Sequence, residues 1–223
     1  GPEALVFATS YSGNTEETLS AYADAKKKGA RIISVTSGGK IGDQALADGA
    51  PLIKIPGGQP PRTALGFMLM PVIHACVQLG LLPDQNWAQL THILEETVEL
   101  CQQPFDSNPA KQMASALHGK LGVLYGLGGW QGIVANRWRG QINENAKNLA
   151  LFNVFPELNH NEILGWVKAS QQGVSDFTGI LLHDGTESAK MQKRFEVTAN
   201  LVQGICPFVS AQPLGVNLLE KML

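Results

Sequence analysis

The segment SYSGNTEET, which begins at Ser10, carries the clearest potential for chemistry in the sequence. Ser10, Ser12 and Thr15 supply hydroxyl groups, and Gly13 has no Cβ to keep a ligand away from the backbone. The segment follows a short apolar run and precedes a helical pattern, so its N–H groups lie at the positive end of a helix. These features together predict a phosphate-binding site.

A simpler interpretation of the same segment is a helix cap. Asn14 would then be the N-cap, and Glu17 its partner in a capping box. A cap alone does not require several hydroxyls on one turn, so we favour ligand binding, although both can hold. The segment matches neither GxxxxGK[ST] nor GxGxxG, so a nucleoside triphosphate with magnesium is not indicated.

Arg62 is a second candidate binding residue. It follows two prolines, Pro60 and Pro61, which stiffen the loop after the third predicted strand. A guanidinium group held in this way suits a phosphate or an enediolate oxygen. A surface arginine with no ligand is an equal alternative at this point.

Strands and helices alternate along the whole chain and must position these residues. Apolar runs predict strands over residues 4–9, 31–36, 51–55, 121–125, 151–155, 177–182 and 207–210. Helical patterns cover residues 14–28, 41–48, 63–80, 86–103, 110–118, 131–149 and 186–203, with a loop and helix over 156–166. Such alternation predicts an α/β fold of parallel sheets with helices on both faces. We expect two three-layer α/β/α domains, over residues 1–105 and 106–223, joined near residues 104–109.

The composition excludes several partners. Lys and Arg number 17 against 19 Asp and Glu, for a formal net charge of −2, so we expect no nucleic acid. No apolar run reaches the length of a membrane span, and the cysteines form neither a disulfide nor a metal pattern. We expect a cytoplasmic protein. Charged residues are only 16% of the chain, which favours a surface covered by a second subunit.

Four segments together resemble one enzyme family. The Ser10 segment resembles the signature of sugar isomerase (SIS) domains. The segments RWRGQINENAK from Arg137, FPELNHNEILGW from Phe155 and PPRTALG from Pro60 narrow the resemblance. Over nearly the whole chain, the sequence is similar to bifunctional phosphoglucose/phosphomannose isomerases of bacteria and archaea.

The resemblance implies tandem SIS-type domains in a homodimer with shared active sites, a phosphosugar substrate, and no metal or cofactor. It also implies that the first domain lacks an N-terminal part and the second a C-terminal part. The isolated fragment is therefore expected to be inactive. Lys221 is not expected to be the family's catalytic lysine.

The resemblance also implies a role for each candidate residue. Glu144 would be the base that moves a proton between C1 and C2 of an aldose or ketose phosphate. His160 would open the sugar ring, in the active site of the neighbouring subunit. Ser10, Ser12 and Thr15 would hold the 6-phosphate, while Arg62 would stabilise the enediolate. Without the resemblance, Glu144 would be taken for a solvated helical residue and His160 for a cap or interface histidine.

Two other functions share the phosphate motif. One is a non-catalytic SIS-domain regulator that binds phosphosugars, and the other is the isomerase half of an amidotransferase. The segment beginning at Phe155 argues against the amidotransferase. Within that segment Glu162 could serve as a second carboxylate, but a capping role beside Asn159 is simpler. We expect the glycine-rich turn 126–129 to serve packing. The remaining histidines are expected to be structural or solvated: His74, His92, His118 and His183.

Overall fold

The computed structural model describes residues 1–173 and 175–223. The chain forms two compact units, residues 1–85 and 86–223. The division of the family's domains at residues 105 and 106 stays a prediction. None of the helices in the described part of the chain is both long and apolar enough to cross a membrane.

The first unit is built on a parallel sheet. Its strands are β1 (Leu5–Thr9), β2 (Arg31–Thr36) and β3 (Leu52–Lys54), in the order β1-β2-β3. Its helices are α1 (Glu16–Lys27), α2 (Gly39–Ala47) and α3 (Leu65–Gln78). Since α1 and α2 connect successive parallel strands in one direction, right-handed crossovers place them on one face of the sheet.

An apolar contact and a partly buried hydrogen bond hold α1 and α2 on this sheet. Ile41 of α2 is fully buried and packs in one cluster with Tyr22 of α1 and Ile32 of β2. The hydroxyl of Tyr22 donates to Asp48 Oδ2 at 3.0 Å. Burial and this hydrogen bond raise the pKa of Tyr22 to about 12.

Helix α3 is the most apolar helix of the first unit. It has 14 residues with Pro71 inside it, and none of them is buried. Leu65 and Phe67 are more than a third exposed. The first unit therefore presents an apolar helical surface.

The second unit has a larger parallel sheet. Its strands are β4 (Leu121–Gly126), β5 (Ala150–Val154), β6 (Phe177–Leu182) and β7 (Phe208–Ala211), in the order β5-β4-β6-β7. Its helices are α4 (Trp87–Gln102), α5 (Pro109–Leu117), α6 (Gly129–Gln141), α7 (Glu162–Trp166), α8 (Ala189–Val202) and α9 (Leu218–Met222).

Alternate residues of β4 face two different cores. Val123 and Tyr125 pack with residues of β6, α7 and α8, whereas Leu124 packs with residues of α5 and α6. This alternation is what a strand covered on both faces requires. The predicted three-layer α/β arrangement with parallel strands is confirmed for this unit.

The predicted helix over residues 131–149 changes form in its second half and stops three residues early. Helix α6 ends at Gln141 and is followed by a π-helical turn, Ile142–Ala146. The side chain of Asn143 accepts a hydrogen bond from the N–H of Ala150 at 2.8 Å. Lys147 then adopts a left-handed conformation, with φ of 57°. The hydrogen bond of Asn143 fastens the π-helical turn to the start of β5.

An ion pair ties the end of β6 to α9. Lys221 Nζ lies 2.7 Å from Asp184 Oδ2, and the Asp184 side chain is only 3% exposed. Burial by itself would raise the pKa of Asp184. Hydrogen bonds from Lys221 and Thr186 outweigh that effect and hold the pKa well below its usual range.

Replacing this carboxylate should destabilise the protein in a pH-dependent way. At pH 7, Asp184→Asn should lower the free energy of unfolding by about 3 kcal/mol, because Lys221 loses its partner. Asp184 binds a proton less readily in the folded chain than in the unfolded one. Its stabilisation is therefore full above about pH 4 and is lost as the pH falls further. Urea unfolding at pH 7 and pH 3 measures both values.

Glu196→Gln is the matched control. It breaks an exposed ion pair with Lys193 in the same unit, so it should barely change stability at either pH. An Asp184→Asn effect of equal size at pH 7 and pH 3 would contradict the role given to the ion pair.

Candidate functional site

The Ser10 segment leaves the carboxyl end of β1 and brings two of its hydroxyls together. Ser10 is 5% exposed, and its Oγ lies 2.8 Å from Thr15 Oγ1. Ser10 Oγ also accepts from the N–H of Gly13 at 3.1 Å. Ser12 is exposed, and its Oγ accepts from the N–H of Asn14 at 3.2 Å. The predicted hydroxyl groups therefore line one turn.

Gly13 is required by a close approach of two loops. Its φ is +69°, and a Cβ there would lie 1.8 Å from the carbonyl oxygen of Gly38. The carbonyl of Gly13 accepts from the N–H of Ile41 at 2.9 Å. The turn before α1 is thus fastened to the turn before α2.

Helix α1 begins without a side-chain cap. Its N-cap residue is Thr15, which makes no capping hydrogen bond through its side chain. Asn14 Oδ1 accepts instead from the N–H of Lys40, at 3.2 Å. The alternative of a capping box formed by Asn14 and Glu17 is therefore wrong. The first-turn N–H groups of α1 keep the anion-binding character of an uncapped helix start.

The loop that carries Arg62 lies at the same edge of the sheet. Because β1, β2 and β3 are parallel, their carboxyl ends meet there. The N–H of Gln59 donates to the hydroxyl of Tyr11 at 2.9 Å, and Arg62 follows in the 3₁₀ turn Pro61–Thr63. Tyr11 therefore links the Arg62 loop to the phosphate segment. Sequence reasoning missed Tyr11 because its type and spacing carry no signal of this contact.

Glu144 lies near the amino end of β5. It is exposed and sits in the π-helical turn, one residue after Asn143, which binds the N–H of Ala150. Lys147 Nζ donates to its backbone carbonyl. Such π-turns occur often at functional sites.

His160 lies beyond the carboxyl end of β5. It is exposed, and its N–H donates to the carbonyl of Glu157 at 2.9 Å. The five residues of β5 therefore separate it from Glu144, a strand length of roughly 16 Å. One chain does not bring these two candidate residues together.

Glu162 does not cap α7, contrary to the sequence expectation. The cap is Asn161, whose side chain accepts from the N–H of Glu162. The carboxylate of Glu162 points towards the sheet and accepts from the Tyr125 hydroxyl and from Asn153 Nδ2.

The glycine-rich turn of the second unit serves packing. A Cβ on Gly126 would lie 2.5 Å from the carbonyl carbon of Gln131, so α6 approaches β4 closely. The carboxylate of Glu187 accepts from the N–H groups of Asp184 and Gly185, at 2.8 and 2.9 Å. A carboxylate at this position disfavours a phosphate. Within residues 1–173 and 175–223, no three His, Cys, Asp or Glu side chains are grouped to hold a metal ion.

The parallel sheets, with the hydroxyl-rich turn before α1 at the edge of one of them, define an α/β protein. The fold is similar to that of a hypothetical protein from Thermus thermophilus, with a TM-score of 0.69 and 15% identity. That comparison covers 95% of this chain and 60% of the other.

Residues 106–223, more than half of the chain, match the family described as the bacterial phospho-glucose isomerase C-terminal SIS domain. The chain therefore belongs to this phosphoglucose isomerase family, which confirms the resemblance found in the sequence.

Two curated relatives carry the same printed name, bifunctional phosphoglucose/phosphomannose isomerase. The protein from Caldicellulosiruptor bescii is 42% identical over 99% of this chain. The protein from Aquifex aeolicus is 34% identical over 92% of this chain. The chain spans 66% and 61% of the lengths of these relatives.

Gly13→Ala should lower the free energy of unfolding by more than the strain of an alanine at positive φ explains. The added Cβ would meet the carbonyl of Gly38, so the turn must open. We expect a loss of stability well above the roughly 1 kcal/mol typical of Ala at positive φ. Gly49→Ala is the matched control, since Gly49 has a φ of +63° and open space around it. Equal losses of unfolding free energy in urea would contradict the interlocked turns.

Proposed function

We propose that the protein containing this chain is an aldose–ketose isomerase. It would interconvert glucose 6-phosphate or mannose 6-phosphate with fructose 6-phosphate. The observation that carries the proposal is the sequence identity of 42% and 34%, over 99% and 92% of the chain, to relatives named for these activities. A non-catalytic phosphosugar regulator is not favoured, because these relatives are named as enzymes.

In this proposal the first unit is the phosphate-binding SIS domain. Ser10, Ser12 and Thr15 bind the 6-phosphate together with the uncapped start of α1. The contact of 2.8 Å between the Ser10 and Thr15 hydroxyls supports a shared anion site. Arg62 approaches the same sheet edge and stabilises negative charge on the enediolate.

Glu144 is proposed as the base of the isomerisation. Its carboxylate takes the proton from C2 of the open-chain aldose, and a cis-enediol forms as the C1 carbonyl oxygen gains a proton. Return of the proton to C1, with loss of the O2 proton, gives the ketose phosphate. The reverse direction uses the same groups. Glu144 is exposed in the single chain, so a partner surface would have to enclose it for efficient catalysis.

His160 is proposed as the acid and base for ring opening. It transfers protons between the ring oxygen and the anomeric hydroxyl, which suits an imidazole near neutral pH. Glu144 and His160 lie near opposite ends of β5. We therefore infer that a complete site takes Glu144 from one copy of the chain and His160 from a second copy. A homodimer with shared sites follows from this proposal.

Complementation between two inactive variants tests the shared site. Full-length Glu144→Gln and His160→Ala proteins should each lose most isomerase activity, assayed as fructose 6-phosphate formation from both aldose phosphates. When the two chains are co-expressed, mixed dimers contain one intact site. The preparation should then recover about a quarter of the wild-type activity.

The control is co-expression of two differently tagged Glu144→Gln chains, which should stay inactive. A mixed preparation no more active than its parents would contradict the shared site. Full activity of Glu144→Gln would remove Glu144 from its role as the base.

Removing one hydroxyl of the phosphate segment should weaken substrate binding. In the full-length protein, Thr15→Val should raise KM for glucose 6-phosphate about tenfold, the value expected for one hydrogen bond to a charged group. The value of kcat should change little. Ser20→Ala, which removes an exposed hydroxyl further along α1, is the matched control. An unchanged KM in Thr15→Val would contradict the phosphate assignment.

A further inference from the structure

A partly buried polar cluster surrounds Glu162, two residues after His160. Besides the bond from Tyr125, Glu162 accepts from Asn153 Nδ2 at 2.7 Å and from Trp166 Nε1 at 3.4 Å. Trp166 Nε1 also donates to the Tyr125 hydroxyl at 3.1 Å. These partners on β4, β5 and α7 all donate hydrogen bonds to the carboxylate oxygens of Glu162.

The Tyr125 side chain is fixed in this cluster. Its residue is fully buried, and its ring packs against Phe155 and Phe208 at centroid distances of 5.8 and 5.4 Å. Burial, together with the hydrogen bond to Glu162, raises the pKa of Tyr125 well above its ordinary value. Tyr125 therefore keeps its proton and stays a donor.

A second anchor lies on the other side of His160. Asn159 Nδ2 donates to Thr198 Oγ1 on α8 at 2.7 Å, and Leu158 is fully buried in the core. The backbone is thus held immediately before His160 and again two residues after it. The exposed imidazole is the side chain presented between the two anchors.

The cluster has no direct part in the proposed chemistry. Both oxygens of Glu162 already have donors within the protein, and Tyr125 has no exposed surface. The carboxylate of Glu162 is partly removed from water, and apolar residues of similar volume often give equal or greater stability at such positions. Its position beside His160 suggests that it defines the local conformation rather than adding stability alone.

We propose that Tyr125 and Glu162 are positioning residues that hold the backbone beside His160, so that the imidazole is presented in one orientation. The inference rests on the proposed function, in which His160 opens the sugar ring. Tyr125 and Glu162 act only through His160 and do not touch the substrate.

A double-mutant cycle in the full-length protein tests this. Tyr125→Phe removes only the hydroxyl and should lower kcat/KM for glucose 6-phosphate about tenfold through misplacement of His160. His160→Ala should cause a larger loss. The double variant should be no less active than His160→Ala alone, because a positioning residue has no effect once the residue it positions is absent.

Tyr22→Phe is the matched control. It also removes a buried tyrosine hydroxyl bonded to a carboxylate, so it should lower Tm comparably. It should leave kcat/KM within about twofold, in the range of a substitution outside the site. The pH profile of kcat/KM should change in Tyr125→Phe and not in Tyr22→Phe.

The possible failures are distinguishable. Absence of isomerase activity in the wild-type protein overturns the proposed function, and full activity of His160→Ala overturns the role of His160. Loss in His160→Ala with none in Tyr125→Phe, or with losses that multiply in the double variant, overturns the positioning inference alone. If Tyr125→Phe does not fold, Asn153→Ala removes another donor to Glu162 and completes the same cycle.

Discussion

Parallel pairing of the strands is the constraint on which the rest of the structure depends. It places every strand's carboxyl end at one edge of its sheet, so loops distant in sequence become neighbours there. In the first unit this edge holds the Ser10 segment and the loop leading to Arg62, linked through Tyr11. In the second unit the same pairing sends Glu144 and His160 to opposite ends of β5. Glu144 and His160 are therefore far apart in the folded chain, although only 16 positions separate them in the sequence.

The two units use the same turn between a strand and a helix in different ways. In the first, Gly13 lets two turns interlock, while the start of α1 has no side-chain cap. In the second, Gly126 lets α6 approach β4, and Glu187 already satisfies N–H groups at the end of the neighbouring strand. In both turns a glycine is required because neighbouring backbone lies where a Cβ would be. Only the first turn carries hydroxyl side chains.

The strands and helices were largely predictable because apolar periodicity reflects burial on the faces of a sheet. The strand predicted over residues 121–125 is an example. The closeness of the Ser10 and Thr15 hydroxyls was also predictable, because both residues lie in one short segment between a strand and a helix. The π-helical turn after α6 was not predictable, because its Asn143 binds the N–H of Ala150, a contact that exists only once β5 is in place. The orientation of Glu162 likewise depends on Tyr125, 37 residues away in the sequence. Side chains that bind distant partners leave no local pattern.

Helix α3 has a consequence for the life of the protein in the cell. Its apolar side chains have no buried member in the first unit, and exposed apolar surfaces of this kind promote aggregation and chaperone binding. Any chain in which the surface of α3 stays uncovered is therefore a target for chaperone binding or degradation. The amount of protein that persists in the cell would then depend on how completely the surface of α3 is covered.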